Sequence, residues 1–493
     1  MAAPLSASIG ASRREFFTAT AAGAAALLAC RDAAVPPGGS TARPPNIVFI
    51  MADDLGYGEL GCYGQSKIRT PHIDRIAAEG MRFSNAYSGC SVCAPARSVL
   101  MTGMHMGHTS VRSNPGGVPI LAEDVTVAEL LKERGYATGC FGKWGLGDIG
   151  TEGVPWKQGF DEFVGYLHQA HAHYFYPRYI YDNDQELPLD GNEGSGRGTY
   201  SHDVIADRAL EFIARNKDQP FFCYVPFTIP HAEYVVPDDE IYAQYAGTFE
   251  EMELSENPNR PGRLIRPSEP HATLAAMITR MDRDVGRILQ LIAELGLDEN
   301  TIVFFTSDNG AAAATWTDYF RSSGDLRGAK RDFYEGGIRV PMLVRWPERI
   351  TAGSSSDHIW GFHDFLATAL ELAGAEAPAG TDGISVVPTL LARGEQAEHE
   401  YMYWELPRYE GGPGTFRNET PSQALRMGKW KAVRPAPDGE LELYDLDADP
   451  SETQDLAADQ PAIMATIQAL LDQARQPPRP QKEPDHIWWV SKG

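Results

Sequence analysis

Cysteine, positive charge and long apolar runs are all scarce in this chain of 493 residues, and each scarcity excludes something. There are six cysteines. Setting aside Cys30 and Cys93, treated below, Cys62, Cys90, Cys140 and Cys223 match no zinc-binding spacing. Disulfides and buried free thiols both remain open for them. Lys and Arg number 43 against 67 Asp and Glu, a formal net charge of −24. That balance argues against nucleic acid or an anionic membrane surface as a partner. It also means that an anionic substrate must be held by local cations and not by the overall field. The Ala-rich apolar stretch from Thr18 to Ala29 is too short to stay in a bilayer as a spanning helix. What the chain has in plenty is Gly (48) and Pro (35), which suit loops, on a globular background of 43% hydrophobic residues.

The N-terminus reads as a targeting segment. Ser12-Arg13-Arg14-Glu15-Phe16-Phe17 has the form of a twin-arginine export motif, and Leu27-Leu28-Ala29-Cys30 that of a lipobox. Cys30 would then be the lipidated first residue of an exported, periplasmic or outer-membrane-anchored lipoprotein, touching the membrane only through that anchor. Residues 1–29 are the expected signal, and 30–44, rich in Pro, Gly and Ala, a flexible tether. The remaining length is large for one core, so a domain at 45–375 and a smaller one at 376–493 are expected.

Within 45–375 one device recurs. Asn46–Met51 is a continuous apolar run, hence a buried strand, and it ends in Asp53-Asp54. Thr301–Thr306 ends in Ser307-Asp308-Asn309-Gly310, Phe221–Phe227 leads to Pro230-His231, and Thr138–Gly142 leads to Lys143-Trp144. Amphipathic helices lie between them, clearest at Thr273–Leu295. The alternation predicts an α/β fold whose mostly parallel sheet is sandwiched by helices, with ligands beyond the strands' carboxyl ends. The polar insertions 168–200 and 232–270 are expected as loops at the mouth of that site. Beyond 375, Glu400–Trp404, Ala424–Val433 and Leu441–Asp445 read as short strands and about 460–475 as a helix. This predicts a C-terminal α+β subdomain with a short antiparallel sheet.

The most informative stretch is Ser91-Val92-Cys93-Ala94-Pro95-Ala96-Arg97, followed by Ser98-Val99-Leu100-Met101-Thr102-Gly103. Pro95 suits a first helical turn and Gly103 the residue after a short helix. Cys93 then sits at a helix N-terminus, where free N–H groups favour an anion, with Arg97 one turn away on the same face. Asp53, Asp54, Asp308 and Asn309 offer only oxygen, a donor set for Ca²⁺ or Mg²⁺ and not for zinc.

The pattern C-x-P-x-R followed by S-x-L-x-T-G resembles the signature of type I sulfatases, of the alkaline-phosphatase-like superfamily, and the resemblance extends over about residues 44–475. It implies that a formylglycine-generating enzyme converts Cys93 to formylglycine, whose hydrate is the nucleophile. It implies Ca²⁺, with Mg²⁺ as the alternative, on Asp53, Asp54, Asp308, Asn309 and modified Cys93. Arg97, Lys143 and Lys330 fall on the positions that hold sulfate, Asp308 on that of the base, and His231 on that of the acid for the leaving oxygen. The flank Glu335-Gly336-Gly337-Ile338-Arg339-Val340-Pro341 supports Lys330. One departure stands out: the family commonly reads Gly-Lys-Trp-His-Leu-Gly, whereas this chain has Gly142-Lys143-Trp144-Gly145-Leu146-Gly147. His171 or His173, in the neighbouring loop, is the expected replacement for that imidazole or else lines the substrate mouth.

The implied activity is hydrolysis of a sulfate ester, on a small molecule or a glycan. The aromatics Tyr174, Phe175, Tyr176, Tyr179 and Tyr181 suggest sugar stacking, and packing is the other reading. A phosphomonoester or phosphonate monoester hydrolase of the same superfamily is the rival activity. A lipoprotein that binds sulfated glycans without turnover is the non-enzymatic alternative. No residue names a sugar or a sulfate position.

Overall fold

The computed structural model describes residues 43–114, 116–253, 267–312, 316–407 and 420–479. The expected leader with Cys30, nearly all of the tether and part of the 232–270 insertion lie outside the described residues. No helix among the described residues is long and apolar enough to cross a membrane.

A ten-stranded sheet organises the chain. Five strands need labels: β1 (Asn46–Ala52), β2 (Ala137–Lys143), β3 (Glu162–Tyr166), β4 (Phe221–Pro226) and β5 (Thr301–Ser307). They lie side by side in the order β5-β1-β4-β2-β3, all parallel. β1 is central and buried at every position. Its side chains alternate between two cores, Ile47, Phe49 and Met51 on one face and Val48, Ile50 and Ala52 on the other. That is why the run is apolar throughout and does not alternate. The second face is covered by the helices Ser201–Arg215 and Pro270–Glu294. In the latter Leu274, Met277, Ile278, Met281, Val285, Ile288, Leu289 and Ile292 are all buried, as their period requires.

Two expectations need correction. The insertion 168–200 is not all loop. Tyr179–Asp182 and Gln185–Pro188 form a hairpin that pairs antiparallel with β3 and lengthens the sheet. Tyr-Ile-Tyr is strand-forming, Asn183 takes the turn at φ +50°, and Ile180 and Tyr181 are buried in opposite cores. The run Ala424–Val433 is likewise two strands, Ser422–Met427 and Trp430–Arg434, because Gly428 at φ +56° reverses the chain. With Met402–Leu406 and Glu442–Asp445 they make a four-stranded antiparallel sheet, followed by the helix Pro461–Ala474. The five cysteines among the described residues are free thiols.

Candidate active site

The carboxyl ends of the parallel strands deliver the polar residues to one place. Asp53 and Asp54 follow β1, Lys143 ends β2, His231 lies five residues past β4, and Asp308 and Asn309 follow β5. Helix α1 (Cys93–Thr102) points its N-terminus at them, and every one of its residues is buried. Val92 is extended at the N-cap (φ −147°, ψ 154°), so the turn is free to begin at Cys93. Gly103 closes the helix at φ +66° with its N–H on Val99 O.

Cys93 Sγ is 3.5 Å from Asp53 Oδ1 and 3.4 Å from Lys330 Nζ. Lys330 Nζ lies 2.6 Å from Asp54 Oδ1 and donates to Oδ2 at 2.8 Å. Lys143 Nζ donates to Asp53 Oδ2 at 2.6 Å. Arg97 donates to Asp308 Oδ2 from Nε (3.2 Å) and Nη2 (2.7 Å), and Nη1 donates to Lys143 O. Its Nη2 also lies 3.7 Å from Asp53 Oδ2. Three carboxylates and three fixed cations thus interlock, with Arg97, Asp53 and Asp308 wholly buried. Asp54 has φ +66°, a conformation aspartate tolerates, and its N–H bonds Asp308 Oδ1 at 3.2 Å.

Burial and charge compete at each group. Burial raises Asp53, but Lys143, His231, Arg97 and Lys330 outweigh it and hold the carboxyl far below its ordinary range. Asp308, buried and beside Asp53, is pushed up to about 6 despite Arg97 and Lys143. Burial raises the Cys93 thiol to about 12 against the pull of Lys143 and Lys330, so as cysteine it is a protonated thiol and a poor nucleophile. Burial lowers His231 to about 4 against Asp54 and Asp53. Its Nδ1–H faces Ala232 O at 2.6 Å, which leaves Nε2 toward Asp54 Oδ2 at 3.5 Å.

The oxygen donors of Asp53, Asp54 and Asn309 fit a hard cation. Donor atoms of Asp53, Asp54, Cys93 and His231 lie within 4.8 Å of one another. Asn309 sits against them, its Nδ2 donating to Asp54 Oδ1 at 2.7 Å, while its buried Oδ1 has no hydrogen-bond partner. A buried carboxamide oxygen without a donor, beside clustered carboxylates, suits an oxygen-coordinated divalent ion.

The two loop histidines part company. His171 is packed among Tyr166, Tyr179 and Tyr181, with ring centroids at 5.0, 5.1 and 6.5 Å, and burial lowers it to about 3. His173 stands edge-on to His231 at 4.6 Å, its Nδ1 on Gln169 O at 2.9 Å. The space beside Gly145 is filled by neither imidazole but by Gln169: a Cβ at 145 would lie 2.1 Å from Gln169 Nε2. The sequence offered only the glycine as a hint, because what fills its place comes from 24 residues away in the chain.

A family model described as Sulfatase matches residues 45–375, and one described as N-sulphoglucosamine sulphohydrolase, C-terminal, matches 328–477. Human arylsulfatase A is 36% identical over 432 residues, covering 81% of this chain and 76% of that one. The N-acetylgalactosamine-6-O-sulfatase of Bacteroides thetaiotaomicron is 28% identical over 525 residues, covering 92% of this chain and 97% of its own length. The crystal structure of Ps i-CgsB in complex with k-i-k-neocarrahexaose superposes with a TM-score of 0.72 at 26% identity, over 88% of this chain and 94% of that one.

Proposed function

The chain belongs to the sulfatase family of sulfuric ester hydrolases, and we propose that it desulfates a carbohydrate through formylglycine made from Cys93 beside a bound Ca²⁺. The observation that carries this is the placement of Cys93 Sγ at 3.4 Å from Lys330 Nζ and 3.5 Å from Asp53 Oδ1, at a buried helix N-terminus. Formylglycine, as its hydrate, supplies an oxygen nucleophile and a second hydroxyl through which sulfate can leave, which a cysteine or serine cannot. The cation, held by Asp53, Asp54, Asp308, Asn309 and residue 93, supplies charge that acidifies a nearby hydroxyl and offsets negative charge on the sulfuryl oxygens.

The chain's own residues divide the remaining tasks. Asp308, fixed by Arg97 at the end of β5, takes a proton from the hydroxyl at position 93. Arg97 fixes Asp308 with two hydrogen bonds to Oδ2, while Oδ1 accepts from the Asp54 N–H. Lys143 and Lys330 present ammonium groups to the non-bridging sulfate oxygens, a charge that helps most where charge builds up in the transition state. His231 holds its Nδ1 proton on Ala232 O, so Nε2 is the atom that carries the proton for the departing oxygen. A bound sulfate ester brings negative charge to that atom and favours the protonated ring.

A carbohydrate leaving group is supported by the relatives' names and by a cleft of about 370 Å³ whose lining includes the chain neighbours of Cys93 and Lys330. Val92 and Arg331, the neighbours of Cys93 and Lys330, line it on the catalytic side, and Leu406 and Pro437 on the side of the small sheet. Export by the twin-arginine route and lipidation at Cys30 complete the reading, on the strength of the motifs alone. Cys30→Ala is expected to move the protein from the membrane to the soluble fraction; unchanged fractionation counts against the anchor.

The test of the catalytic reading is a peptide mass combined with product analysis. The peptide bearing position 93 should be about 18 Da lighter than its cysteine form, as thiol-to-aldehyde conversion requires. The same preparation should release sulfate from sulfated saccharides faster than it releases phosphate from aryl phosphates. An unmodified Cys93 in fully active protein would overturn the formylglycine assignment.

A further inference from the structure

We infer that Gln169 is a substrate-binding residue of this site, its carboxamide N–H₂ donating to an oxygen of the bound sulfate group where other chains of the family carry a side chain at the position of Gly145. The inference rests on the sulfatase reading of the same site.

Gly145 lies two residues beyond Lys143, at the carboxyl end of β2, with φ +77° and its N–H on Leu167 O at 3.0 Å. A Cβ built there would approach Gln169 Nε2 to 2.1 Å, far inside van der Waals contact. A side chain at 145 and the Gln169 carboxamide therefore compete for one volume, and the glycine yields it to the carboxamide. Positive φ adds a second reason for glycine here.

The carboxamide is not explained by the protein around it. Gln169 is 5% exposed, and its Nε2 has no hydrogen-bond partner. Burying an amide N–H₂ unpaired is unfavourable, so its persistence asks for an acceptor that binds there. The turn that carries Gln169 places it on the rim of the site. On one side it meets the segment that follows Lys143, whose ammonium is on Asp53. On the other, Gln169 O accepts from His173 Nδ1 at 2.9 Å, and the His173 ring lies edge-on to His231 at 4.6 Å. An unpaired two-proton donor packed against the segment that follows Lys143 meets its complement in an anionic oxygen.

The chemistry differs from an imidazole in one testable way. A carboxamide is neutral at every working pH and can donate a hydrogen bond but cannot take up or release a proton. Its contribution to binding is therefore constant across the neutral range.

The experiment measures inorganic sulfate binding by calorimetry, kcat and KM for desulfation, and Tm, in wild type and five variants. Gln169→Ala is expected to weaken sulfate binding and lower kcat/KM roughly 10- to 100-fold, the effect of one hydrogen bond to a charged acceptor. Its Tm should not fall, since the donor removed is unpaired in the protein. Gln169→Glu should lose more, because it replaces a donor with like charge. Gly145→Ala should act like Gln169→Ala by displacing the carboxamide, and combining the two should add little. Gly145→His with Gln169→Gly should recover part of the activity and add one further ionisation to the pH profile, absent when position 145 is glycine; histidine tolerates positive φ better than most residues. Unchanged sulfate affinity and kcat/KM in Gln169→Ala would overturn the proposal, as would losses that merely track a drop in Tm. Wild type that releases no sulfate from any ester would instead refute the sulfatase reading, and the calorimetry would still decide whether Gln169 binds the anion.

Discussion

Two clusters of buried charge in this molecule are built from the same kinds of residue and end up with different properties. At the strand ends, Asp53, Asp54 and Asp308 interlock with Arg97, Lys143 and Lys330. Where the small antiparallel sheet meets the short helix Glu335–Ile338, Glu335 and Glu452 flank Lys431 Nζ at 2.7 and 2.8 Å, all three fully buried in their side chains or nearly so. There Glu335 also accepts from Tyr87 Oη at 2.7 Å and Arg339 Nη1 at 3.2 Å, and Glu452 Oε2 accepts from the Glu335 N–H at 2.6 Å. The second cluster spends its charges on itself and joins two parts of the chain. The first lies at the sheet's ligand-binding edge and keeps groups aimed at something else: the Asn309 carbonyl oxygen, the Gln169 amide and a helix N-terminus. Burial and ion pairing alone do not separate a site from a joint; leftover valence at the strand ends does.

Removing residue 93 should break the comparison most sharply. Cys93→Ala is expected to cut desulfation by about 10³ or more, the loss typical of a deleted nucleophile, while the denaturant midpoint stays close to wild type. Undiminished turnover would place the chemistry elsewhere. Lys431→Met should do the reverse. It leaves Glu452 without its cation and Glu335 with Arg339 alone, at a cost of about 3–5 kcal/mol in unfolding free energy, with kcat per folded molecule preserved. Lost turnover at full stability would make that cluster part of the chemistry.

The smallest effect sharpens the second cluster. Burial, opposed by Lys431 and reinforced by Glu335, pushes Glu452 up to about 7. Because this folded pKa lies above the ordinary carboxyl value, the group's contribution to stability is complete at low pH and is lost as pH rises through about 7. Glu452→Gln, fixed in the neutral form, should therefore gain up to about 3 kcal/mol over wild type at pH 8, the linked effect of a rise from 4.5 to about 7, with the difference closing as pH falls toward 4.5. Thermal melts at the two pH values check it, and a lower Tm at pH 8 would show that the charged form is the stabilising one.

Much of the site was legible in the sequence because the fold puts it at the ends of recognisable strands. A buried run that stops at Asp53-Asp54 or Asp308-Asn309 announces both the strand and its catalytic edge, and Cys93 with Arg97 needs only one helical turn to meet. What stayed hidden depends on distant neighbours. Nothing local to Gly145 says that Gln169 takes its space, or that His173 stands against His231 while His171 sinks among tyrosines. The hairpin at 179–188 was obscured because only one of its strands carries an apolar signal; Gln185–Pro188 is mostly exposed. The Glu335–Lys431–Glu452 cluster joins residues 96 and 117 positions from Glu335, a separation no motif spans.

Helix α1 also sets an order of events. Cys93 is 1% exposed, and the nine residues after it in the helix are buried with it. An enzyme that oxidises this cysteine needs the peptide in its own cleft, and the finished fold offers no such length of chain. On the formylglycine proposal, modification and folding would be rivals in time: each chain that closed over Cys93 first would be locked in with a thiol. The fraction of active molecules would then record how fast this segment folds as well as how much modifying enzyme the cell holds.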